Sequence, residues 1–117
     1  MTLEETKAFL QREQEISDLR AVMSTAEGRR FVWKMLGDAG VFRSSFVAGS
    51  PEATFFNEGA RNFGLVLLGD VMTDASAQYL TMQKEAMNND QKKREQRSDD
   101  QNGAEAGAHP GGSDSHN

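Results

Sequence analysis

Between Gly28 and Gly64 the chain packs six of its seven phenylalanines and its single tryptophan. That density limits what the chain can become. Phe55 and Phe56 are adjacent, as are Val32 and Trp33, and neighbours on a helix point about 100° apart. No single helical face can turn all of these rings inward, so some are expected to face outward or to meet another chain.

The rest of the chain reads as helix. Thr2 with Glu5 has the spacing of a capping box and opens a first helix over residues 2–23. Its apolar positions (Leu3, Phe9, Leu10, Ile16, Leu19, Val22, Met23) are sparse, and Gln11 to Glu15 is wholly polar. Residues 1–24 are therefore expected to form a helical arm, either solvated or awaiting a partner. Ser24 with Glu27 repeats the capping-box spacing and predicts a second helix from Thr25 to Ala39. Phe31, Met35 and Ala39 form its buried stripe, widened by Val32, Leu36 and Trp33, and Gly40 is its stop.

Ser50-Pro51-Glu52 is a strong third start, with a hydroxyl at the cap, proline at the first helical position and an acid in the first turn. The helix is expected to run to about Met72 and to bury Ala53, Phe56, Ala60, Phe63, Leu67 and Val71. Gly59, Gly64 and Gly69 within it point to close approach of another backbone. Asp74 is placed as the cap of a fourth helix ending near Lys93, with Tyr79, Met82 and Ala86 on one face. From Asn88 no aliphatic residue exceeds alanine, and residues 95–117 are expected to be a disordered acidic tail. The fold class is thus all-α: a small bundle of three to four helices, with residues 25–94 as the helical domain.

Composition removes several functions. With 117 residues and no cysteine, neither a disulfide scaffold nor a thiolate metal site is available. A net charge of −5 without a basic block disfavours unaided nucleic-acid binding. The longest apolar run, Phe63 to Val71, is about half of the ~20 residues a membrane crossing needs. The acidic start, Glu4-Glu5, is not that of a secretory signal. Both histidines, His109 and His116, fall in the tail and offer at most a weak metal site. No cofactor is expected, nor catalysis. The carboxylates Glu58 and Asp70 are the only acids worth testing for hydrolysis, and each has a plainer expected role. Glu58 stands at i, i+3 to Arg61, while Asp70 is placed to pair with Arg43 or Arg61.

The connector Val41 to Gly49 is too apolar for an ordinary surface loop. Phe42 and Phe46 either plug the gap between two helices or belong to a contact surface. Trp33, Phe42, Arg43, Phe46 and Phe55 are the expected interface residues. Arg29, Arg30, Lys34 and Arg61 are the candidates for phosphate or for acidic groups of a partner.

Glu27-Gly28-Arg29-Arg30-Phe31, then Gly40-Val41-Phe42-Arg43 and Ser45-Phe46, then Glu58-Gly59, Arg61-Asn62 and Gly64 to Leu67-Leu68 form a recurring Arg, Gly and Phe pattern. Over about residues 17–88 it resembles a family of small proteins from the virion-structural modules of short-tailed, Bordetella-type tailed bacteriophages. The resemblance implies a phage protein of the particle or its assembly, found in the virion or in the host cytoplasm. Its partners would be portal, tail or capsid components, or further copies of itself, with the portal–tail junction the first place to look. The family supplies no catalytic residues to carry over. A DNA-packaging or nucleic-acid-associated accessory factor is the second reading, resting on the four basic residues.

Overall fold

The computed structural model describes the backbone of residues 1–113 and the side chains through Gly103. Four helices follow in order: α1 (Leu3–Met23), α2 (Ala26–Asp38), α3 (Pro51–Asp74) and α4 (Ser76–Ser113). There is no strand among the described residues, as the all-α reading expects. By contacts the chain divides into two units, Met1–Gln83 and Lys84–Asn117.

The first unit is built by its caps. Thr2 and Glu5 close a reciprocal capping box: the Glu5 N–H donates to Thr2 Oγ1 at 3.1 Å, and the Thr2 N–H to Glu5 Oε2 at 3.2 Å. The second cap lies one residue later than expected. Ser24 keeps a helical backbone and its hydroxyl donates to the Ala21 carbonyl, so it ends α1. Thr25 is extended and accepts from the Gly28 N–H, so it begins α2.

At the far end of α2, Gly40 takes φ +83°. The Gly40 N–H donates to the Gly37 carbonyl and the Val41 N–H to the Leu36 carbonyl, a Schellman ending. This turn drives Val41 back into the core beside Leu36. Ser50 caps α3 through the Ala53 N–H.

The core consists of Met23, Val32, Leu36, Val41, Val71, Ala75 and Met82, with Leu19, Trp33, Ala39, Leu67, Leu68 and Tyr79 packed against it. It contains no phenylalanine. The expected stripe of α2 is displaced: Val32 and Leu36 are buried, while Phe31 is exposed. On α3 the correction is larger. Val71 is buried and Leu67 packs against the core as expected, but Phe56 and Phe63 face outward, and Gly64 is buried in their stead. The cause is close packing. A Cβ placed on Gly64 would sit 2.5 Å from Val41 Cγ2 and 2.7 Å from Ala39 Cβ, so no ring fits on that side of α3.

The expected arm, α1, contributes Met23 to this core. It is tied to the end of α3 by two arginines: Arg12 Nη2 lies 2.9 Å from Asp74 Oδ2, and Arg20 Nε donates to the Asp74 carbonyl at 2.8 Å. Asp74 is thus the last residue of α3, where a cap for α4 was expected. Ala75, at φ −141° and ψ 47°, breaks the two helices.

In the second unit the backbone stays helical through Ser113, past the stop expected near Lys93. Gln, Lys, Arg and Glu are good helix formers, and lengthening an existing helix adds a hydrogen bond for each residue fixed. Every side chain from Met87 to Gly103 is exposed, consistent with a segment that takes no share in a core. The remainder of the tail expected to be disordered, including His109 and His116, lies outside the described side chains.

Candidate protein interface

All seven phenylalanines are more than half exposed, from 53% at Phe42 to 78% at Phe56. This removes one of the two readings of the connector. Phe42 and Phe46 do not plug a gap between helices; both stand in solvent. Their direction follows from where the connector's polar groups go. Thr54 Oγ1 accepts from the Val47 N–H at 2.9 Å, Asn57 Nδ2 donates to the Ser45 carbonyl at 3.3 Å, and the Ser45 hydroxyl donates to the Glu58 carboxylate. The connector therefore lies back along the first turns of α3 with its polar edge inward. Its rings are left on the outside.

The five expected interface residues fall into two groups. Trp33 is half-buried and its ring meets Phe42, centroids 4.8 Å apart and planes tilted by 31°. Arg43, next in sequence to Phe42, donates from Nη1 to the Gly37 carbonyl at 3.1 Å, a second hydrogen bond on an oxygen that already accepts from the Gly40 N–H. Phe46 and Phe55 form the second group and line one open groove with Val47, Pro51 and Thr54.

The three basic candidates of α2 each have a local partner. Arg29 Nη1 donates to the Met23 carbonyl, Arg30 lies 3.9 Å from Glu27, and Lys34 pairs with Asp38 at 2.6 Å. Arg61, on α3, borders an open pocket with Arg43, Ser44 and Ser45. The expected acid pairings are corrected as well. Glu58 is taken by Ser45 and not by Arg61, and Arg43 is taken by Gly37 and not by Asp70. Glu58 and Asp70 are twelve residues apart on one helix, roughly 18 Å along its axis. A carboxylate pair acting on one glycosidic bond needs about 5–9.5 Å. Among the described residues no group of acids or histidines is arranged to hold a metal ion, and no helix is long and apolar enough to cross a membrane.

One apolar surface was only partly expected from the sequence: the outer face of α3, where Phe55 is joined by Phe56, Phe63 and Val66. The signal was present in the glycines. A five-residue step turns a helix by about 140°, so Gly59, Gly64 and Gly69 cannot share a face. Gly64 meets α2 and the connector, while Gly59 and Gly69 have no neighbour within 4 Å. Helix α3 is apolar on two opposite sides, a pattern of helices covered all round.

The described chain is a small helical bundle whose phenylalanine rings all lie outside its core. The chain belongs to the family of Bbp19-like phage proteins, whose family model matches residues 19–84. This agrees with the resemblance carried by the Gly28 to Leu68 pattern. No curated protein and no solved structure matches the chain.

Proposed function

We propose that this phage protein is a non-enzymatic structural or assembly component, acting through protein–protein contacts in the particle or in an assembly intermediate. The observation that carries the proposal is the exposure of every phenylalanine in a chain whose core is made of methionine, valine, leucine and alanine. A monomer gains nothing by showing seven rings to water, and exposed aromatic surface at this density marks an interaction site. Aromatic anchors with an adjacent arginine, as at Trp33, Phe42 and Arg43, are also the residue types that dominate interface energetics. The partners fitting such a surface are portal, tail or capsid components, or further copies of the chain.

The test is incorporation. Phages carrying Phe42→Ala with Phe46→Ala are expected to yield particles lacking the protein by mass spectrometry, while the purified variant keeps its helical circular dichroism. Wild-type incorporation of the double variant would remove these rings from the contact.

A further inference from the structure

Two arginines, Arg43 of the connector and Arg61 of α3, line one open cavity of about 580 Å³ together with Val41, Phe42, Ser44 and Ser45. Among the described residues neither guanidinium pairs with a carboxylate, although acids outnumber bases 18 to 13 in the chain. Glu58, close to Arg61 on α3, is held instead by the Ser45 hydroxyl. Asp38, which borders an adjoining cavity with Arg43, Ser44 and Ser45, is held by Lys34. Two like charges are thus left on one space, and an anion placed there relieves their repulsion.

The donors are held ready for such a charge. Arg43 Nη1 donates to the Gly37 carbonyl at 3.1 Å, and the guanidinium lies over the side of Gly40 where a Cβ would stand 3.6 Å from Nε. The head is fixed before anything binds, and its other N–H donors are unused, as bidentate recognition of an oxyanion requires. Arg61 makes no hydrogen bond or ion pair among the described residues. Ser44 Oγ accepts from the Phe46 N–H at 3.2 Å, which leaves its own O–H to donate.

The surroundings select one carboxylate over a run of phosphates. Duplex DNA carries a charge for about every 1.7 Å of its axis, so a phosphate seated here would bring others against Glu58 and Asp38. A single side-chain carboxylate avoids both, and an apolar group beside it can rest on Phe42, which is 53% exposed. We infer that Arg43, Arg61 and Ser44 bind a glutamate or aspartate carboxylate of a partner protein, on a segment that carries an apolar side chain next to the acid. The inference rests on the reading of the chain as a protein-contact component and gives one of its contacts a chemistry.

The probe is acetyl-Glu-Phe-amide, titrated into the isotope-labelled full chain, with acetyl-Gln-Phe-amide as the uncharged control. The Nε–H resonances of Arg43 and Arg61 should shift saturably at millimolar concentrations of the first peptide and not of the second, while that of Arg97 on α4 stays in place. Arg61→Gln should weaken binding about tenfold or more, and Arg61→Lys less, both with unchanged circular dichroism because Arg61 holds no partner in the fold. No shift at either arginine, equal shifts with the two peptides, or full binding by Arg61→Gln would overturn the site. If duplex DNA moves these resonances at lower concentration than the glutamate peptide does, the occupant is a phosphate backbone and the carboxylate is overturned. The two peptides are compared on the wild-type chain, so the test holds even where a variant folds poorly. The particle role is read separately, from incorporation of the connector variant, and either reading can fail alone.

Discussion

Gly64 of α3 and Val41 of the connector approach so closely that a single added methyl on Gly64 would come within 2.5 Å of Val41 Cγ2. The contact joins two local decisions. The left-handed Gly40 turns Val41 inward, and the missing side chain at Gly64 gives it somewhere to go.

Gly64→Ala is therefore expected to destabilise the fold by roughly 1–3 kcal/mol through overpacking, although alanine is the better helix former. Gly37→Ala is the control, since a Cβ there meets nothing within 4 Å. It should be neutral or stabilise by up to about 1 kcal/mol. Urea titrations of the two variants would separate the effects, and equal midpoints would contradict the packing described here.

Gly40→Ala tests the turn itself. At φ +83° a side chain costs about 1–2 kcal/mol, and the strain falls on the element that seats Val41. Thermal unfolding should show the loss with no change in native helical signal.

Trp33 offers an optical probe, being the only tryptophan. Removing its ring neighbour in Phe42→Ala should shift tryptophan emission to the red and make it easier to quench, with unfolding altered by less than about 1 kcal/mol because Phe42 is largely exposed. An unchanged emission spectrum would mean that the two rings are not in contact in solution.

The link between α1 and the end of α3 predicts an asymmetry between its two arginines. Arg12→Ala removes a partly exposed ion pair and should cost no more than about 1 kcal/mol, less at high salt. Arg20→Ala leaves the last carbonyl of α3 without its donor and should cost roughly 1 kcal/mol at any ionic strength. Stability measured at low and high salt distinguishes the two.

Nothing from Met87 to Gly103 is buried, so a chain ending at Asn88 should unfold at the same temperature as the full chain while losing helical ellipticity. A marked fall in the midpoint would assign the removed segment a stabilising role.

Local rules were readable wherever the chain decides something within a few residues. The Thr2 box, the Ser50-Pro51 start and the Gly40 stop are set by one or two hydrogen bonds and one dihedral angle, and each stands where the pattern puts it. The Ser24/Thr25 ambiguity is of the same local kind, with two adjacent hydroxyls competing for one cap. The exposure of some rings was legible too, since ring density alone led to the expectation that part of the set faces outward, and Phe42, Phe46 and Phe55 do.

The side of α3 that is buried was not legible, because both sides are apolar and periodicity cannot rank them. Phe56 and Phe63 make the more hydrophobic stripe, yet they lie outside. The buried stripe keeps Val71 but runs through Gly64 instead of the rings, and it is chosen by how closely Ala39 and Val41 can approach. Such a choice depends on a steric fit between segments more than twenty residues apart, which hydrophobicity along one helix does not encode. By itself, then, the amino-acid sequence determined that this chain makes helices, where three of them start, and that its rings exceed what one small core can hold. Only the tertiary structure decided which rings were left out, because close helix packing rewards the smallest side chain at the crossing and leaves a phenylalanine no room there.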